Sequence, residues 1–147
     1  MFASLVLALT LLMIGVHVGE WVRLGQLARA SRSGTLKSSR VTRVLGLMNF
    51  LRFEAFYYVV LVVFCLTNEG AVPGVAVFLL GAIHVGGWAA LEARKSLPQL
   101  EAVAAAAHNP QAGVRGTRVR RLLAGIAAFD AVEVLILAYF AYRLSPA

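Results

Sequence analysis

The segment AVPGVAVFLLGAIHVGGWAAL, residues 71–91, runs for about 20 residues without a charged side chain, and its one strongly polar group is His84. At ~1.5 Å of rise per residue such a helix covers the ~30 Å hydrocarbon core of a bilayer. Only helices and closed barrels satisfy their backbone groups in lipid, and the segment shows no strand-like alternation of polar and apolar residues. It reads as a membrane helix.

Three more apolar segments surround it, at about 1–22, 44–67 and 122–143. The whole composition agrees: of 147 residues, 60% are hydrophobic and only 14% charged, far from the balance of a water-soluble domain. The chain is therefore expected to be all-α, an integral membrane four-helix bundle forming one domain over residues 1–147. Met1-Phe2-Ala3-Ser4 lacks the basic start of a cleaved signal peptide, so the first segment is expected to remain as a helix.

Basic residues set the expected orientation. Arg23, Arg29, Arg32, Lys37, Arg40 and Arg43 lie between the first two segments, and Arg94, Lys95, Arg115, Arg118, Arg120 and Arg121 lie between the last two. The connection between the second and third carries none. The positive-inside rule then puts loops 23–43 and 92–121 in the cytoplasm of a bacterial-type inner membrane, with both termini extracytoplasmic. The net charge of +7 is thus a topology signal and an attraction to anionic headgroups. No nucleic-acid partner is expected, because the basic loops have almost no aromatic side chains for base stacking. Within these loops, Ser31 to Ser39 reads as a flexible turn, and Leu97 to His108 as a short helix ended by Asn109-Pro110, with His108 a solvated loop residue. Cys65 is the only cysteine, so no intramolecular disulfide forms.

The sequence repeats itself. His17-Val18-Gly19-Glu20-Trp21-Val22-Arg23-Leu24 and His84-Val85-Gly86-Gly87-Trp88-Ala89-Ala90-Leu91 share H-V-G-x-W-x-x-L. Phe53-Glu54-Ala55 in the second segment matches Phe129-Asp130-Ala131 in the fourth, each followed by an apolar run. Basic lead-ins also correspond, Arg40-Val41-Thr42-Arg43 against Arg118-Val119-Arg120-Arg121, with a two-residue gap. The simplest reading is two tandem parallel helix-pair repeats, helices 1–2 duplicated as 3–4, with halves at about 1–67 and 71–143.

Ionisable groups inside the bilayer cost about 2.5–3.5 kcal/mol each even on the lenient insertion scale, so they face the bundle interior and mark function by default. Glu20, Glu54, Asp130 and Glu133 all fall in or at the ends of the apolar segments, and Arg52 is the one fixed cation at comparable depth. The surplus acid has to be protonated or matched by a bound cation. Glu54 lies 13 residues before Thr67, His84 lies 13 after Ala71, and Asp130 lies 13 before Arg143. All three therefore sit roughly 20 Å in from the extracytoplasmic ends, with His17 slightly deeper. Glu20 follows His17 by three residues and Glu133 follows Asp130 by three, so each pair shares a helix face.

Two histidines and four carboxylates are the ligand inventory of dinuclear carboxylate sites in four-helix bundles, although the spacing here is His-x-x-Glu and Asp-x-x-Glu rather than Glu-x-x-His. The expected function is that of a membrane metalloprotein. Its mono- or dinuclear transition-metal site, iron first with manganese, zinc or copper as alternatives, would be held by His17, Glu20, Glu54, His84, Asp130 and Glu133. Asn49, Arg52 and Tyr57 are expected behind these ligands, and the other tyrosines in packing or at the interface. A redox-active metal would make the chain an oxidoreductase acting on a lipid-soluble substrate.

Two alternatives stand beside this reading. His17 and His84 could ligate a b-type haem from both faces, with Gly15, Gly19, Gly81, Gly86 and Gly87 letting the macrocycle approach; that leaves the buried acids without partners. A non-enzymatic transport or assembly subunit, alone, as a homo-oligomer or with a membrane-complex partner, would use the acids for protons or metal transfer. Phosphate-loop, nucleophile-elbow and zinc-protease motifs are absent from the sequence.

Overall fold

The computed structural model describes residues 2–33, 46–68, 70–94 and 113–145, and the regular structure among them is entirely helical. Four helices follow in order: α1 (Phe2–Ser33), α2 (Leu47–Thr67), α3 (Gly74–Ala93) and α4 (Gly113–Leu144). Each contains a stretch long and apolar enough to cross a membrane, namely Phe2–Arg29, Leu47–Thr67, Gly74–Ala93 and Arg120–Leu144, which fits a multi-pass membrane protein.

α1 and α4 run well past the apolar segments at 1–22 and 122–143. The added turns, GQLARASRS after Leu24 and GVRGTRVRR before Leu122, contain no proline and several good helix formers. Hydropathy marks where the bilayer ends, whereas a helix ends only where its backbone meets a breaker. The expected short helix at Leu97–His108, His108 itself and most of the Ser31–Ser39 turn lie outside the described residues.

The helices alternate in direction, and several contacts gather their ends. Phe2 at the start of α1 packs edge-on against Phe64 near the end of α2, ring centroids 5.3 Å apart. Arg143 at the end of α4 donates to the carbonyl of Gly70 in the α2–α3 turn, at 2.9 Å. In that turn Gly70 takes φ +76, a conformation that glycine adopts without a Cβ penalty. Thr67 and Asn68 donate side-chain hydrogen bonds to the Phe64 carbonyl, which the helix leaves without an amide partner. The start of α1, the α2–α3 turn and the end of α4 thus share one end of the bundle.

α1 packs against both α4 and α2, and α2 packs against α3. Across α3 and α4 the ring of His84 meets Phe129 at 5.9 Å. Two glycines set close approaches: a Cβ on Gly19 would meet the Phe50 ring at 3.4 Å, and one on Gly81 would meet Val62 at 3.4 Å. Inside, two apolar clusters form. One, toward the α2–α3 turn, centres on Met13, Tyr58, Leu61, Phe64, Leu137 and Phe140; the other gathers Leu24, Leu27, Leu47, Phe50 and Leu123. Leu5, Leu12, Val59, Leu79 and Leu135 point outward, the arrangement of a helix bundle whose solvent is lipid.

Candidate functional site

Between the two apolar clusters lies a polar layer. His17, Glu20, Glu54, His84, Asp130 and Glu133 are all buried, and every helix contributes to it. The six residues expected as ligands therefore converge. Helical spacing accounts for their common level, and the small Gly81 one turn before His84 lets α3 lie close to α2.

Glu133 reaches both histidines. Its Oε1 lies 3.5 Å from His17 Nε2 and its Oε2 lies 3.1 Å from His84 Nε2. Glu54 does the same from the facing helix, with Oε1 3.7 Å from His17 Nδ1 and Oε2 3.8 Å from His84 Nε2. The repeated sequence motif pairs Glu54 with Asp130, but in touching both imidazoles the counterpart of Glu54 is Glu133, one turn further along α4. Glu20 lies 3.8 Å from His17 Nδ1. Donor atoms of His17, Glu20 and Asp130 fall within 4.8 Å of one another.

The hydrogen bonding of this layer is incomplete. Among the described residues, both nitrogens of His17 and one carboxylate oxygen on each of Glu20, Glu54, Asp130 and Glu133 are buried without a hydrogen-bond partner. Buried polar atoms are paired in the great majority of cases, since each orphan costs ~1–3 kcal/mol, so such a concentration at one level requires a reason. His84 differs from His17. Its Nδ1 lies 2.8 Å from the carbonyl of Leu80, an acceptor, so Nδ1 carries a hydrogen and Nε2 faces the carboxylates of the layer. A backbone acceptor behind one ring nitrogen is the usual orienting arrangement for a metal-binding imidazole.

Charge is unbalanced as well. Four carboxylates face two imidazoles, and Arg23 is the one buried guanidinium among the described residues. With every acid ionised, even two protonated histidines and Arg23 would leave a net negative layer inside lipid.

The residues expected behind the ligands are placed unevenly. Arg52 is turned to the surface, where its guanidinium pairs with Glu92 on α3, and Trp88 donates its indole N–H to the same carboxylate. Asn49 is exposed. Tyr57 is buried, with its hydroxyl 3.0 Å from Thr10 Oγ1 and Thr10 in turn donating to the Val6 carbonyl. The tyrosine that reaches the layer is Tyr58, not Tyr57. It donates to Glu133 Oε1 at 2.5 Å, and its ring stacks on His84 with centroids 4.7 Å apart. The signal for it was present, since Tyr58 follows Glu54 by four residues.

Chemically, the arrangement offers His84 Nε2 between Glu54 and Glu133, and His17 with Glu54 and Glu20 at Nδ1 and Glu133 at Nε2. Two ligands each ~2.1 Å from an ion are about 3 Å apart in cis and about 4 Å apart in trans positions. The separations of 3.1–3.8 Å lie in that interval. The space between the imidazoles is filled by Glu54 and Glu133. No protein-family model, curated protein or solved structure matches this chain.

Proposed function

We propose that this chain is a membrane metalloprotein holding two divalent transition-metal ions within its bundle, one on each histidine. His84 Nε2, Glu54 and Glu133 bind one ion; His17 Nδ1, Glu20, Asp130 and the second oxygen of Glu54 bind the other, while the second oxygen of Glu133 accepts from His17 Nε2–H on the far side of the ring. The observation that carries the reading is that Glu54 reaches both imidazoles through separate oxygens, sharing His17 Nδ1 with Glu20 and His84 Nε2 with Glu133. Two ions of charge 2+ neutralise four carboxylates, and they supply partners for the orphaned oxygens and nitrogens. A carboxylate-rich set with imidazole suits iron or manganese.

Two features weigh against the alternatives. Carboxylates occupy the gap that a haem would need, and apolar clusters close the layer on both sides, which disfavours a continuous ion pathway. A redox-active pair enclosed in this way would serve oxidation of a lipid-soluble substrate or electron transfer. The bundle sits in a bacterial-type inner membrane with its termini outside and its basic loops in the cytoplasm. The matched pairings of α1 with α4 and of α3 with α2 support descent from a duplicated helix pair, although α1 packs on α2 and α3 does not pack comparably on α4.

Elemental analysis of detergent-purified protein, beside a His17→Ala/His84→Ala variant, tests the proposal. About two iron or manganese ions per chain, lost in the variant, are expected. Metal-free wild-type protein prepared without chelator overturns it.

A further inference from the structure

The two copies of H-V-G-x-W-x-x-L differ at the residue three after the histidine, which is Glu20 in the first and Gly87 in the second. Three residues of helix bring a side chain back to the same face, so Glu20 and Gly87 hold matching places beside His17 and His84. In the first copy that place is filled. Glu20 Oε2 lies 3.8 Å from His17 Nδ1, and donor atoms of His17, Glu20 and Asp130 fall within 4.8 Å of one another. In the second copy nothing lies within 4 Å of a Cβ built on Gly87.

The preceding glycine shows the same contrast. A Cβ on Gly19 would meet the Phe50 ring of α2 at 3.4 Å, whereas one on the matching Gly86 would meet nothing within 4 Å. Helix packing accounts for the difference, because α1 packs on α2 and α3 does not pack comparably on α4. A seam between α3 and α4 therefore stays open to lipid at the level of the layer. Ile83 and Val132 are 52% and 56% exposed, and the Phe129 ring, which meets that of His84 at 5.9 Å, is 39% exposed. Behind the seam, His84 Nε2 meets Glu54 at 3.8 Å and Glu133 at 3.1 Å, and Glu133 Oε2 is buried without a hydrogen-bond partner.

Resting on the two-ion reading, this contrast makes the ions unequal. The ion on His17 has His17, Glu20, Asp130 and Glu54, whereas the ion on His84 has only His84, Glu54 and Glu133. A site with three protein ligands keeps a position for an exogenous one. We infer that the ion on His84 is the reactive one, and that the place left empty at Gly87 receives a diatomic ligand of the dioxygen class, entering from lipid through the α3–α4 seam. The layer lies roughly 20 Å in from the extracytoplasmic ends, inside the hydrocarbon. An uncharged diatomic molecule crosses that medium freely, while a hydrated anion pays the full cost of desolvation.

Nitric oxide, a diatomic probe that gives ferrous iron a distinct absorption and paramagnetic signal, tests this on the full chain loaded anaerobically with iron(II). About one nitrosyl per two irons is expected. Gly87→Glu supplies the carboxylate that Glu20 supplies in the first copy, and Gly87→Leu fills the same place without bringing a charge into lipid. Each should raise the half-saturating nitric oxide concentration by about tenfold or more with iron content unchanged. Gly87→Ala, whose Cβ enters open space, should bind as the wild type does. Two nitrosyls per iron pair, none, or unchanged curves in both larger variants overturns the inference and leaves the two-ion reading standing. Protein that takes up no iron overturns both. Should the larger variants lose iron, the wild-type ratio decides alone.

Discussion

Glu133 Oε2 lies 3.1 Å from His84 Nε2, while the other oxygen of the same carboxylate faces His17 at 3.5 Å. A carboxylate that spans two imidazoles on different helices controls both halves of the layer at once. Glu133→Gln is therefore expected to lower metal content from about two ions per chain to less than one. Glu20→Gln, which touches only the His17 side, should leave at least one ion on the His84 side. Elemental analysis of the two variants, purified side by side, distinguishes these outcomes. Equal loss in both would remove from Glu133 this double role, ligand beside His84 and acceptor behind His17.

Tyr58 stands directly behind this bridge. Its hydroxyl donates to Glu133 and its ring stacks on His84, at zero exposure. Tyr58→Phe keeps the stacking surface and deletes one buried hydrogen bond, which should cost about 1–3 kcal/mol in unfolding experiments. Metal affinity should fall by about 10–100-fold, the usual effect of losing a group that orients a ligand. Competition with a chromophoric chelator measures it. Tyr57→Phe, whose hydroxyl bonds Thr10 instead, should leave metal affinity unchanged.

Much of this site can be read from the sequence, and where it cannot the reason is angular. Counting residues from the helix ends places Glu54, His84 and Asp130 at one depth, because rise per residue is fixed. Depth alone does not say which way a side chain points. At about 100° per residue, Arg52 sits roughly 200° around the helix from Glu54, so its place at the surface beside Glu92 follows from helical geometry that a depth count ignores. Tyr57 and Tyr58 fall about 60° and 40° to either side of Glu54, and the nearer one meets Glu133. Which acids span both histidines depends on neighbours across three helices, and no single-helix pattern contains that. Its charge marks Arg23 as the start of a loop, yet α1 continues through it and buries it.

The Arg52–Glu92 pair supplies a control. Both side chains are partly open, at 52% and 36% relative exposure, and neither touches the polar layer. Arg52→Gln should therefore leave metal content at the wild-type value, in contrast to substitutions of Glu54 two residues away. A variant that lost its metal would show that Arg52 supports the layer, contrary to the geometry found here.

The approach of α3 to α2 positions His84, and Gly81 governs it. A Cβ at this site meets Val62 at 3.4 Å and Tyr58 at 3.8 Å, so Gly81→Ala is expected to be nearly neutral. A leucine there would force the helices apart, an overpacking that costs about 1–3 kcal/mol. Since His84 rides on α3, one turn beyond Gly81, its ion should be lost first, leaving about one ion per chain on the His17 side. Elemental analysis with thermal unfolding of Gly81→Ala and Gly81→Leu checks both parts.

Removal of the metal should itself destabilise the bundle. Ions that bind the folded layer and not the unfolded chain stabilise it by about 2.7 kcal/mol at 100 times their dissociation constant, and by more at higher excess. Without them, four carboxylates repel one another between two apolar clusters, with both His17 nitrogens among the unpaired buried atoms. Prolonged chelation of purified protein is therefore expected to lower its unfolding temperature, and readdition of iron or manganese to restore it. The His17→Ala/His84→Ala variant should show neither response, because its layer no longer holds the ions whose loss and return are being measured. An equal response in that variant would place the stabilising metal elsewhere in the protein.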